Sequence, residues 1–201
     1  MEQVISFLNS RNVILASSSR RRKQIFKIIG INYKTFIPNI SENLNKNIEI
    51  KKLPLYFAKE KAKKVAINNK EKIVIAADTI VLLEGKILTK PKNRTEAIEM
   101  LSILSGRKHK VMTGVAVSYL NKFIFSFIEK TDVYFDCISK SDMRKYIDEK
   151  FPFDKAGGYG IQDIFGMCYV KKISGDYWNV VGFPVNKFMR YCSNFLNSHG
   201  S

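Results

Sequence analysis

The chain has 201 residues and a 45% hydrophobic share, which suits one globular domain or two small lobes sharing a core. No stretch is long and apolar enough to span a bilayer, and the opening Met1-Glu2-Gln3-Val4 lacks the basic-then-apolar order of a signal peptide. A net charge of +16 and a pI of about 9.7 favour an anionic partner, although lysines spread along the whole length also read as solvated faces. In chain order, Val13–Ala16 reads as a short strand that passes through Ser17-Ser18-Ser19 into a helix, Arg20–Ile29, stopped by Gly30. Tyr33–Pro38 reads as a second strand and the Asn-rich stretch 39–52 as a loop. A helix follows at Leu53–Asn69, then a central strand at Ile73–Leu83, which Glu84-Gly85 turns into a short return through Ile87-Leu88. Thr95–Leu104 is a helix closed by Gly106, and Lys110–Tyr119 and Lys122–Cys137 are long strands joined in a hairpin at Leu120-Asn121. Ser139 and Asp142 open a helix to Lys150 with a capping box. A glycine-rich stretch, Ala156–Gly166, leads to a strand at Met167–Ile173, a loop, and a C-terminal helix from Pro184, with 197–201 as a frayed tail. The order is mixed α/β with an antiparallel hairpin in the sheet.

One carboxylate stands out. Residues 73–83 would form a buried, β-branched strand but for Asp78 and Thr79. A buried carboxylate persists only with a cation, a metal or firm hydrogen bonds around it. Asp78 is therefore either a candidate active-site group or a structural residue tied to backbone amides. The Ser17-Ser18-Ser19-Arg20-Arg21-Arg22 segment, between strand and helix, offers amides, hydroxyls and guanidinium groups for a phosphate. The alternative is an N-cap serine followed by a solvated basic turn. In the helix at 53–69, Phe57, Lys61 and Val65 share one row, so Lys61 interrupts an apolar face; it either snorkels outward or reaches into a cleft. The hairpin after Asp78 brings Lys90 back toward its level, where a lysine would pair with the carboxylate, hold a phosphate or simply face solvent.

The segment Asp154-Lys155-Ala156-Gly157-Gly158-Tyr159-Gly160-Ile161-Gln162 allows close backbone approach to a ligand and adds a charge pair and an amide able to read a base edge. It fits neither a dinucleotide fingerprint nor a Walker loop. Trp178 reads as core rather than pocket wall. Cys137, Cys168 and Cys192 are scattered and suit a reducing, cytoplasmic setting; His109 and His199 are too few for a histidine-rich metal cluster.

Taken together, the segments resemble the Maf family of nucleotide pyrophosphatases. The matching blocks are Ile14 to Ser19 with Arg21-Arg22, Ala58 to Ala62, Ala77 to Val81, Lys90-Pro91, Leu104 to Arg107 with His109 and Thr113-Gly114-Val115, Asp154 to Gln162, and Asn179 to Pro184. They stand in family order along nearly the whole chain. The resemblance implies a single domain over 1–201: an elongated mixed sheet flanked by helices, like inosine triphosphatases, with a cleft between two lobes that share a core. It implies hydrolysis of a nucleoside triphosphate to the monophosphate and pyrophosphate with a divalent cation, Mg²⁺ or Mn²⁺. Asp78 matches the family's catalytic carboxylate, and Lys90 is the second catalytic candidate; Arg22, Thr79 and Gln162 match positions linked to substrate choice. The Asp-Thr pair and the Gly-Ile-Gln ending resemble the subgroup acting on dTTP and UTP.

On this reading Ser17, Ser19, Arg21, Arg22, Lys61 and Lys155 hold the substrate, and Asp78 with Glu42 holds the metal. The chain departs from the family pattern at Arg20, Ser41, Thr89, Phe151 and Asp163-Ile164-Phe165, which bears on substrate range and loop geometry more than on reaction class. The expected partner is the nucleotide, with no membrane and no nucleic acid, and a homodimer is compatible. The competing expectation is a basic nucleic-acid-binding or cell-division regulatory protein that keeps the fold without turnover.

Overall fold

The computed structural model describes residues 1–40 and 48–199. Among these, the elements run α1 (Glu2–Ser10), β1 (Val13–Ala16), α2 (Arg20–Ile28), β2 (Tyr33–Thr35), α3 (Leu53–Ala66), β3 (Val74–Leu83), β4 (Lys86–Leu88), α4 (Arg94–Leu104), β5 (Lys108–Tyr119), β6 (Lys122–Phe135), α5 (Lys140–Lys150), α6 (Ile164–Tyr169), β7 (Val170–Ser174), α7 (Tyr177–Val181) and α8 (Val185–His199). The strands make one mixed seven-stranded sheet in the order β2-β1-β3-β5-β6-β7, with β4 added to β3. β1 lies parallel to β2 and β3, whereas β4 is antiparallel to β3 and β7 to β6. The fold class is thus α/β, a mixed sheet flanked by helices.

By packing, the chain divides into two compact units. The first comprises 1–78, 113–129 and 182–201. Its core has an alanine-rich seam, with Ala58, Ala62, Val65 and Ala66 of α3 meeting Ile14, Ala16, Val74, Ala76 and Ala116 of the strands. Small side chains let the helix lie close on the sheet. The approach is tightest at Gly114, where a Cβ would stand 2.3 Å from the Leu55 amide nitrogen. Phe26 of α2, Phe183 just before α8 and Phe188 within it form a ring cluster with centroids 5.0–6.3 Å apart.

The second unit comprises 79–112 and 130–181. Its core joins Leu101 and Leu104 of α4, Met143 and Ile147 of α5, and Val111, Met112, Val133 and Phe135 of the strands. Arg94 at the start of α4 makes a two-pronged contact with Asp148 of α5, at 2.6 and 2.8 Å.

Several expectations need correction. The strand placed at Tyr33–Pro38 ends at Thr35, because β1, its partner among the described residues, pairs only as far as Leu15 with Thr35 and ends at Ala16; Phe36 and Ile37 are exposed. The loop at 39–52 closes on a 3-10 turn at Ile50–Lys52, and the following helix ends at Ala66 rather than Asn69. The strand at Met167–Ile173 is in fact the helix α6 followed by β7. Phe165 there stacks on Tyr146, and Gly166 sits where a Cβ would meet the Gly160 carbonyl oxygen at 2.4 Å, so tertiary packing holds the segment through Tyr169 as helix, and the β-branched Val170 and Ile173 lie in the strand that follows. The loop before Pro184 contains α7, anchored by Asn179, whose amide donates to the Val111 carbonyl and the Thr131 hydroxyl. Trp178 is only partly buried, edge-on to Tyr177, so it is not a core residue. α8 continues to His199, through the residues expected to fray, while 200–201 lie outside the described residues. α1 was not anticipated; its signal is the Val4–Leu8 pair, four residues apart and both buried. The hairpin at Leu120-Asn121 stands as expected, with both residues at positive φ (51° and 60°), the geometry of a type I′ turn.

Candidate active site

In the first unit the geometry converges on Asp78. Its position on β3 follows from the apolar run around it, and burial then demands compensation. Lys61 supplies it: the Nζ donates to Asp78 Oδ1 at 2.6 Å, with both side chains only 12% exposed. The lysine that interrupts the apolar row of α3 therefore points inward to a carboxylate rather than snorkelling out. α3 can deliver it because Ala58 and Ala62 bring the helix close to β1 and β3.

The strand-to-helix turn after β1 lies in the same unit. Ser19 caps α2, its Oγ accepting from the Arg22 amide at 3.4 Å. Ser17 Oγ accepts from the Ser19 amide and from Arg22 Nη1, both at 3.2 Å. Arg22 is buried, and its guanidinium also donates to two main-chain carbonyls: Nη1 to Ala77 at 2.9 Å and Nε to Gly182 at 2.9 Å. Three segments far apart in sequence are thus tied by one side chain, at the carbonyl just before Asp78. Ser17, Ser19 and Arg22 are thus linked to one another and to the main chain, with Ser19 in the N-cap place. Arg21 is half-buried, with its Nε shielded and lacking a hydrogen-bond partner among the described residues. Arg20 is exposed.

In the second unit, Thr79 continues β3. The β3–β4 ladder pairs Val81 with Leu88 and ends there, leaving Lys90 exposed beyond it. The glycine-rich loop is well tied down. Gly157 donates to the Thr89 carbonyl at 3.1 Å and takes φ +74°, with a Cβ there only 3.2 Å from Val81 Cγ2, so glycine is required. Lys155 is 13% exposed in its side chain and lies between Asp154 at 3.0 Å and Asp163 at 3.7 Å. Its charge is compensated within the loop. Gln162 is exposed. Glu42, the second expected metal ligand, lies outside the described residues, as does Ser41 before it.

Sequence reasoning singled out neither Tyr146 nor the hydroxyl of Tyr159. Tyr159 Oη lies 2.6 Å from His109 Nε2, and Tyr146 Oη contacts Asp163 and the Gly160 amide. Burial pushes the His109 imidazole down to about 4, against a smaller opposing pull from Asp132, so it is neutral at pH 7. No local pattern marks these pairs, because each joins residues 14 or more positions apart.

Among the described residues no three His, Cys, Asp or Glu side chains gather as a metal cluster, and no helix is long and apolar enough to cross a membrane. Asp78 offers one hard oxygen donor group. That fits Mg²⁺ held by one or two carboxylates together with substrate phosphates rather than by a protein cage.

Residues 12–195 match the family model described as Maf-like protein. A dTTP/UTP pyrophosphatase of Cytophaga hutchinsonii is 40% identical over 193 residues, 96% of this chain and 88% of that protein. A dTTP/UTP pyrophosphatase of Bacillus anthracis is 40% identical over 185 residues, 92% of this chain and 96% of that protein. Among solved structures, the Staphylococcus aureus Ham1 protein overlaps 64% of this chain and 72% of its own, at 18% identity and a TM-score of 0.44. A HAM1 protein from Coxiella burnetii overlaps 62% and 72%, at 15% identity and a TM-score of 0.40.

Proposed function

The chain belongs to the Maf-like protein family, and on that premise we propose that it is a nucleoside triphosphate pyrophosphatase acting on dTTP and UTP, releasing the monophosphate and pyrophosphate. The observation that carries this reading to particular atoms is Asp78, a buried carboxylate in a central strand, compensated by Lys61 at 2.6 Å.

In the proposed reaction a water oxygen bonds to the α-phosphorus and the bond to the bridging α–β oxygen breaks. Pyrophosphate leaves with that electron pair. Asp78 orients the water and accepts its proton. Lys61 compensates the carboxylate before the proton arrives and is left beside a neutral acid afterwards, so its charge becomes available to the phosphates as the leaving group forms. Arg22 holds the Ala77 carbonyl, and so fixes the backbone from which Asp78 projects. Lys90, exposed and without an ion pair among the described residues, is proposed as a phosphate contact, together with Arg21. Thr79 and Gln162 are proposed to read the base. Asp78 would also bind Mg²⁺ or Mn²⁺, which when present would neutralise charge on the phosphates; Glu42 is the proposed second ligand. We place the enzyme in the cytoplasm, in keeping with its sparse, scattered cysteines.

The test is pyrophosphate release from a panel of canonical and modified nucleoside triphosphates with Mg²⁺ or Mn²⁺, comparing the wild type with Asp78→Asn. Release that peaks on dTTP and UTP and falls by at least about 10³-fold in the variant supports the assignment. Release confined to a modified nucleotide moves the role to pool cleaning. An active Asn variant removes Asp78 from the chemistry, and a folded wild type with no release on any substrate favours the nucleic-acid-binding reading.

A further inference from the structure

We propose that Tyr146 and Asp163 form a clamp that sets base preference by fixing the turn that presents Gln162. The proposal rests on the reading above, in which Gln162 meets the base.

The Asp163 amide donates to the Gly160 carbonyl at 3.2 Å, so residues 160–163 form a hydrogen-bonded turn. Within it Ile161 is buried and Gln162 is exposed. The apolar residue anchors the turn while the amide is displayed. Both ends of this turn are held by one hydroxyl. Tyr146 Oη accepts from the Gly160 amide at 3.1 Å and donates to Asp163 Oδ2 at 2.7 Å. The directions follow from chemistry, because an amide N–H only donates and a carboxylate only accepts, so the single hydroxyl proton has one destination.

The carboxylate is then folded back over the turn. A Cβ on Gly160 would lie 2.5 Å from Asp163 Oδ2, so glycine is needed at that position for the carboxylate to sit there. Lys155 Nζ, 3.7 Å from the same oxygen, compensates the charge. The clamp is anchored outside the loop. Tyr146 belongs to α5, is buried, and stacks on Phe165 of α6 with ring centroids 4.4 Å apart and planes 23° from parallel. Without it, Gly157, Gly158 and Gly160 would leave the segment pliable. A base-reading amide discriminates only if its position is held to within a fraction of an ångström. The arrangement holds the residues on both sides of Gln162 and leaves its side chain exposed.

Two variants of the full chain test this, Tyr146→Phe and Asp163→Asn. The first keeps the ring stack and deletes the hydroxyl. The second keeps an acceptor for it but drops the charge. Two readouts are needed: amide hydrogen exchange at Gly160 in the nucleotide-free protein, and kcat and KM for dTTP, UTP, CTP and GTP. For Tyr146→Phe we expect Gly160 exchange to quicken about tenfold and the dTTP-to-CTP ratio of kcat/KM to fall about tenfold, chiefly through KM for dTTP. Asp163→Asn should fall between this variant and the wild type in both readouts. Unchanged exchange overturns the clamp. Faster exchange with an unchanged base ratio overturns its role in preference. An inactive wild type would instead strike the pyrophosphatase reading and the base preference with it, and it is told apart because it shows before any substitution is made.

Discussion

Replacing Lys61 by methionine removes the ammonium group from Asp78 while keeping most of the side-chain volume. At 2.6 Å and an effective dielectric of about 20 the attraction is roughly 6 kcal/mol, much of it offset by desolvation of the two groups. With both side chains 12% exposed, the carboxylate left behind cannot easily regain water. Removing one member of a buried ion pair costs about 3–5 kcal/mol, a large part of the roughly 5–15 kcal/mol expected for a whole domain. Asp78→Asn in the Lys61→Met background should recover much of this, because a buried amide costs less than a buried carboxylate deprived of its lysine. The assay is equilibrium urea unfolding at pH 7 without nucleotide, with a constant m-value as the check on two-state behaviour. A coupling energy of about 2 kcal/mol or more between the two sites is expected; additive effects, within about 0.5 kcal/mol, would refute the claim that the pair compensates itself.

Two further outcomes follow from the same structure. Arg22→Lys cannot reach the Ala77 and Gly182 carbonyls with one planar fork, so it should destabilise the nucleotide-free protein by about 2–3 kcal/mol in urea; an unchanged midpoint would mean that Arg22 serves the substrate alone. His109 is held down near 4 by burial, below its unfolded value of about 6.5, so between these values the unfolded chain binds the extra proton. Its contribution is complete above about pH 6.5 and is lost as pH falls toward 4, about 3 kcal/mol in all; the pH–stability curve of His109→Gln should lack that slope, and parallel curves would contradict the assignment.

What the sequence disclosed follows the range of the interactions. β1, the cap at Ser19 and the hairpin at Leu120-Asn121 were legible because their determinants are neighbours: a β-branched run, a serine three residues before the amide it caps, a two-residue turn. Asp78 was legible as an anomaly, a charge in an apolar run. Its partner was legible only as a second anomaly on α3, since the inward turn of Lys61 depends on how closely Ala58 and Ala62 let that helix approach the sheet. Arg22 read as a phosphate ligand because its neighbours are serines and arginines, whereas its acceptors at Ala77 and Gly182 lie 55 and 160 residues away. Met167–Tyr169 reads as the start of a strand for the same reason: the helix that holds these residues is fixed through Phe165 and Gly166, which pack on Tyr146 and against Gly160. Tyr146 gave no local sign at all.

The most direct test of the central claim is turnover of dTTP in ¹⁸O-labelled water, with products read by mass spectrometry. The account predicts dTMP carrying one labelled oxygen, together with unlabelled pyrophosphate, since water attacks the α-phosphorus. Label in the pyrophosphate, or dTDP with inorganic phosphate as the products, would contradict it.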